Sequence, residues 1–196
     1  PIWEGIRNIL VITGDPLPGN ERAGAKSVFN LNSKGLISLI NEMNNELFAN
    51  SEIYIGAAIN PNVPNFDAQL RKTEEKTKAG ARFFLSQPVY SDEAAENLLR
   101  AKKELKVKII AGILPIVSYN NAVFLNNEVP GIVVPEEYIR RFYQGMDRDE
   151  AYKVGVEIAL ECIRRTEGLD GVYFMPPFNR VTMIAEIIRK MKASKR

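Results

Sequence analysis

The sequence predicts an α/β fold built on a parallel sheet, and three observations carry that expectation. Five short apolar runs, at residues 9–13, 53–58, 83–85, 107–113 and 171–174, are β-branched or aromatic and continuous rather than alternating. Strands covered on both faces by crossover helices read this way. Helical periodicity fills the intervals between the runs, and turn residues bound them. Alternating strands and helices imply right-handed crossovers. Periodicity alone leaves two architectures open, a doubly wound open sheet and part of an eight-stranded barrel. Both bind ligands at the carboxyl ends of their strands.

The elements follow in order. After the run at 9–13, residues 34–47 carry Leu36, Ile37, Leu39, Ile40 and Met43 on one helical face. After 53–58, residues 67–78 make a strongly charged helix with Glu74 and Lys78 at the i,i+4 spacing. The run at 83–85 leads to a helix over 92–105, with Ser91 or Asp92 as its N-cap. Beyond 107–113, three helices are expected: 120–127, one starting at the acidic, Pro-led Pro135-Glu136-Glu137, and the longest over 149–165. A last helix, over 181–191, follows the run at 171–174. Repeats, low-complexity tracts and linkers are absent, so residues 1–196 are expected to form a single domain.

Composition narrows the function classes. Hydrophobic residues make up 45% and charged residues 26%, as in an ordinary globular protein rather than a disordered one. Lys+Arg is 26 against Asp+Glu 24, a net charge of +2, which gives no support for a nucleic-acid partner. The lone Cys162 excludes an intramolecular disulfide, reads as a core thiol and fits a reducing, cytoplasmic setting. No apolar run is long enough to span a membrane, and no signal peptide is recognisable. Pro1 stands just ahead of a strand without an initiator Met, so a fragment or a processed chain is expected. The chain has no histidine. Ser-His and Cys-His nucleophile pairs are thereby excluded within it, and a zinc site is disfavoured. Acid–base work falls to Asp, Glu, Lys or Tyr, or to a cofactor.

The strand ends are where chemistry is expected. Thr13-Gly14-Asp15-Pro16 places a carboxylate after a glycine at the first mouth. Asn60-Pro61-Asn62-Val63-Pro64-Asn65 makes a stiff, amide-rich loop at the second. Gln87, after the third run, can form paired hydrogen bonds to a heterocycle or amide. Tyr119, after the fourth, brings a ring that can stack on a planar ligand. Arg180, after the fifth, suits a carboxylate or phosphate. Each has an ordinary structural alternative: a turn for Asp15, loop filler for the asparagines, a satisfied buried amide for Gln87, a core or rim aromatic for Tyr119, a solvated arginine for Arg180. Their recurrence at one end of successive strands suits a planar, partly anionic organic cofactor that carries the reaction. No Gly-x-Gly-x-x-Gly or P-loop pattern follows any run, so a doubly wound phosphate-ligand enzyme lacks support.

The ordered motifs Thr-Gly-Asp-Pro at 13–16, Ile-Gly-Ala-Ala-Ile-Asn-Pro-Asn at 55–62, Lys-Ala-Gly-Ala at 78–81, Ser-Gln-Pro-Val-Tyr at 86–90, Gly-Ile-Leu-Pro at 112–115, Asn-Glu-Val-Pro-Gly-Ile at 127–132 and Pro-Phe-Asn-Arg at 177–180 resemble methylenetetrahydrofolate reductases. The flavour is that of the reductase half of bacterial bifunctional homocysteine S-methyltransferase/methylenetetrahydrofolate reductases. The resemblance implies a (β/α)8 TIM-type barrel that binds FAD. It implies a hydride passed from NADH or NADPH through the flavin to 5,10-methylenetetrahydrofolate, giving 5-methyltetrahydrofolate. By motif, Asp15 matches an aspartate beside the flavin and Gln87 a glutamine that hydrogen-bonds the folate pterin. Tyr119 and Arg180 match residues at the folate site, and Lys76 a lysine near the cofactor's phosphates. Thr13, Gly14, Ala58 and Ile59 match positions lining the flavin pocket. Two departures stand out. The family's first three strands, with the glutamate that serves as general acid, have no counterpart here, so the barrel is expected to be incomplete at about five βα units. Lys72 and Glu75 replace polar residues on the cofactor-binding helix. Partners expected on this basis are the folate and the absent N-terminal strands or a homocysteine methyltransferase module, and self-association into a homo-oligomer stays open. A non-catalytic subunit of a reductase assembly is the competing expectation.

Overall fold

A computed structural model describes residues 5–13 and 31–194. The elements are β1 (Asn8–Val11), α1 (Ser33–Glu46), β2 (Tyr54–Ile59), α2 (Phe66–Ala79), β3 (Phe83–Pro88), α3 (Asp92–Leu105), β4 (Lys108–Ile113), α4 (Tyr119–Glu128), α5 (Glu136–Ile139), α6 (Arg148–Arg165), β5 (Gly171–Phe174) and α7 (Val181–Ala193), with a 3-10 turn at Pro177–Asn179 before α7. Side chains start the helices by satisfying backbone N–H groups that have no partner within the helix. Asn32 accepts from Gly35 N, Asn65 from Ala68 N, Ser91 from Ala94 N and Ser118 from Asn121 N. Asp147 starts α6, whose first turn is acidic and whose last carries Arg164 and Arg165, in accord with the helix dipole.

The five strands are all parallel and stand in sequence order, β1-β2-β3-β4-β5. That order decides between the two architectures. A doubly wound sheet needs a reversal of strand order, whereas an unreversed series of right-handed crossovers lays every helix on one face. The result is the wall of a (β/α)8 barrel. Strand alternation shows the same thing in burial. Ile55, Ala57, Ile59, Phe84, Ile109, Ala111 and Ile113 are buried toward the helices. Tyr54, Ala58, Phe83, Leu85, Ile110 and Tyr173 face the other way and are half-buried.

β3 runs three residues beyond the expected 83–85, through Ser86, Gln87 and Pro88. Its pairing with β4 steps from Leu85↔Ile110 to Pro88↔Gly112, so β3 holds one extra residue. A proline is tolerated inside a sheet at such a bulge, where the ladder does not require its N–H. The first strand is displaced the other way, since Ile12 and Thr13 lie beyond its last paired residue, Val11. Among the described residues no helix is long and apolar enough to cross a membrane.

Candidate active site

The carboxyl edge of the sheet gathers several of the expected residues. At its β2 end, Lys76 Nζ reaches from α2 to donate to the Ala58 carbonyl at 3.1 Å. Burial first, and the neighbouring Lys72 ammonium second, hold Lys76 below the usual lysine value. Ala58 lies on the inner face and is half-buried. Ile59 does not join it. Adjacent strand residues point to opposite faces, and the Ile59 side chain is fully buried against the helices, leaving only its backbone for a ligand. Thr13 is exposed beyond β1, and its Oγ1 accepts from Ser33 N at 3.2 Å, the first residue of α1. Gly14 and Asp15 lie outside the described residues. Glu75, one of the two departures on α2, is paired with Lys34 of α1 at 3.1 Å.

Gln87 sits on the bulge and is exposed, so it is not the satisfied buried amide that its setting also allowed. The backbone around it is tied by side chains. Ser86 Oγ accepts from Gly112 N at 2.9 Å and donates to the Gln87 carbonyl at 2.7 Å. Tyr173 OH donates to the Ser86 carbonyl at 2.7 Å. Asn62 Nδ2 donates to the Pro88 carbonyl at 3.2 Å and to the Gly131 carbonyl at 3.0 Å, binding the α4–α5 loop to this mouth. Gly131 has φ +84, and a Cβ placed there would lie 2.6 Å from Asn60 Nδ2 and 4.0 Å from Gln87 Cγ. Glycine is what lets this loop close over Asn60 and Gln87.

Tyr119 follows the carboxyl end of β4 by six residues and is exposed. It is the first residue of α4, capped by Ser118, and lines a cavity of about 490 Å3 with residues of α4 and α5 that include Asn126, Glu136 and Arg140. Arg180 lies between the 3-10 turn and α7, half-buried, and no carboxylate among the described residues pairs with it. The turn before it is strained: Phe178 (φ 48) and Asn179 (φ 57) are non-glycine residues in the left-handed region, and Phe178 is 76% exposed. Cys162 is buried, and burial pushes its thiol up to about 12, so it stays protonated and inert, as expected of a core thiol.

The arrangement offers an exposed carboxamide on a rigid bulge, a half-buried cation at one side and a guanidinium after β5. It can recognise a ligand with an amide-like edge and anionic groups. The sequence flagged Gln87 and the asparagine loop but missed Ser86, Tyr173 and Gly131, which hold them. Pro88, shortly after the apolar run at 83–85 and followed by Val89-Tyr90, was the available signal for the bulge.

The sequence matches the family model described as methylenetetrahydrofolate reductase over residues 2–192. It is similar to a probable methylenetetrahydrofolate reductase (NADPH) of Caenorhabditis elegans, 28% identical over 200 residues, covering 95% of this chain and 28% of that protein. It is also similar to methylenetetrahydrofolate reductase 2 of Schizosaccharomyces pombe, 32% identical over 174 residues, covering 82% of this chain and 27% of the relative. The chain therefore spans less than a third of the length of these relatives. Among solved structures, that of a 3-hexulose-6-phosphate synthase covers 98% of this chain and 88% of its own at 12% identity and a TM-score of 0.34, a likeness too weak to carry an argument.

Proposed function

From its membership of the methylenetetrahydrofolate reductase family, we propose that this chain supplies the substrate-recognising wall of a flavin-dependent barrel that reduces 5,10-methylenetetrahydrofolate to 5-methyltetrahydrofolate at the expense of NADH or NADPH. The observation that carries the reading is Gln87, an exposed carboxamide presented on a side-chain-tied bulge at the carboxyl edge. A primary amide there can both donate to and accept from the amide-like edge of a pterin. Arg180 suits an anionic group of the folate, and Tyr119 a planar face at the rim. Lys76, with Thr13 and Ala58, would hold FAD. The residues fit such a group, since a small inner-face residue lies beside a half-buried cation suited to an anionic tail. When bound, the flavin would supply the hydride chemistry that no side chain of a histidine-free chain offers. Asp15 would set a negative charge beside it, favouring a cationic form of the folate.

The inner face and both outer strands bear on the same proposal. Among the described residues β1 and β5 each pair on one side only, and open edges and an uncovered inner face are what a closed barrel removes. Further strands, in cis or from a partner, would complete the site and bring the general acid.

The test is steady-state kinetics of the complete protein. Gln87→Ala is expected to raise KM for methylenetetrahydrofolate about tenfold to a hundredfold, the loss of a hydrogen-bonded carboxamide, with the flavin spectrum retained. A colourless wild-type protein with no folate-dependent oxidation of NADH or NADPH would overturn the reading and favour a non-catalytic subunit.

A further inference from the structure

We propose that Tyr173 is a positioning residue for Gln87, acting from two strands away through the Ser86 carbonyl. The consequence for catalysis rests on the reading of Gln87 given above, whereas the positioning itself stands on geometry. β4 lies between β3 and β5, and Tyr173 is in register with Gly112 of β4. A side chain at Gly112 would block the path, because a Cβ there would lie 2.8 Å from the Ser86 carbonyl oxygen and 3.1 Å from the Tyr173 hydroxyl. Through that gap the Tyr173 hydroxyl crosses the strand and donates to Ser86 at 2.7 Å.

The bulge makes this contact consequential. At the extra residue in β3, Gly112 N donates to Ser86 Oγ. The carbonyls of Ser86, Gln87 and Pro88 are then held in succession by the side chains of Tyr173, Ser86 and Asn62. Their peptide planes set the backbone angles of Gln87 and so the direction of its Cα–Cβ bond. Ser86 is buried, and its carbonyl needs a partner. Without the Tyr173 hydroxyl, the plane between Ser86 and Gln87 loses the anchor on its carbonyl side and is set less firmly, and the direction of Gln87 with it. Tyr173 also belongs to the strand that leads to Arg180, so one hydroxyl links the two side chains proposed to bind the folate.

The experiment uses the complete protein labelled with 15N-glutamine, the Gln87 side-chain amide signal being assigned by its loss in Gln87→Glu. Tyr173→Phe removes only the hydroxyl. The expected result is a shifted and broadened Gln87 side-chain signal, with the other glutamine signals in place. KM for methylenetetrahydrofolate is expected to rise about threefold to tenfold, one hydrogen bond's worth of ordering, with a smaller change in kcat. Gly112→Ala, which blocks the path while keeping the tyrosine, is expected to move the same signal, and the double variant to add little. If Tyr173→Phe does not fold, Gly112→Ala decides. An unmoved Gln87 signal in a folded variant overturns the proposal. A wild-type protein that turns over no folate overturns the proposed function instead, and the Gln87 signal still decides the positioning.

Discussion

Lys76 occupies a costly place for a cation. It is half-buried beside Lys72, and its one described acceptor is the Ala58 carbonyl. Its folded-state value lies below the ordinary 10.5, so between the two the unfolded chain binds more protons and stability rises with pH. The contribution is lost as pH falls through the folded value. Urea unfolding from pH 7 upward is therefore expected to show wild type gaining on Lys76→Met as pH approaches 10.5, a gap that parallel stability curves would disprove. An anion seated at this strand end would relieve the strain by keeping the lysine charged, which ties the residue's electrostatics to the cofactor role expected of it. At Ile59 only the backbone is left on the ligand side, for a reason available in advance. Ala58 and Ile59 are neighbours in one strand and cannot both turn side chains to the same pocket. Tyr173 escaped because a contact across an intervening strand leaves no trace in local pattern, and Ser86 because its bulge is a property of two strands.

At the scale of elements, close approach explains more than propensity does. Gly155 stands in the middle of α6, where alanine would ordinarily be preferred by about 1 kcal/mol. A Cβ there would lie 2.1 Å from the Ile116 carbonyl oxygen and 2.8 Å from Met183 Cε. The helix packs on the backbone that follows β4, and a backbone oxygen cannot step aside as a flexible side chain can. Gly155→Ala is thus expected to destabilise by about 1–3 kcal/mol, seen as a lower urea midpoint. A midpoint at or above wild type would mean that α6 can slide. The same approach positions Ile116, three residues before Tyr119. The elements themselves were largely legible: all five strands and seven helices lie where apolar periodicity and capping residues put them, with ends shifted by a few residues. β3 was cut short because Ser86-Gln87-Pro88 carries turn chemistry, and those residues stay in the sheet through backbone pairing with β2 and β4, with side-chain hydrogen bonds from β5 and the β2–α2 loop added to it.

The order of the strands belongs to the whole molecule and was not legible from periodicity, since a buried parallel strand reads the same in an open sheet and in a barrel. The sequential order found here makes the sheet one-sided: helices on one face, and an inner face whose apolar residues include Leu10, 41% exposed, with Ile12 just past β1 at 59%. Ile9 and Val11 pack toward the helices, so alternation turns Leu10 inward. β1 also presents one unpaired side among the described residues. An edge strand with exposed apolar residues is a template for association. The 196-residue chain is therefore expected to self-associate with concentration in sedimentation velocity and to bind a hydrophobic dye. Leu10→Lys with Ile12→Lys places charge on that edge and is expected to lower both signals, while shifting stability by no more than about 0.5 kcal/mol per exposed site. Full association and dye binding in the double variant would locate the sticky surface elsewhere, at the β5 edge, where Val172, Phe174, Ile188 and Met191 line a groove of about 440 Å3. Lowered association with stability retained would identify the β1 edge and inner face as the associating surface.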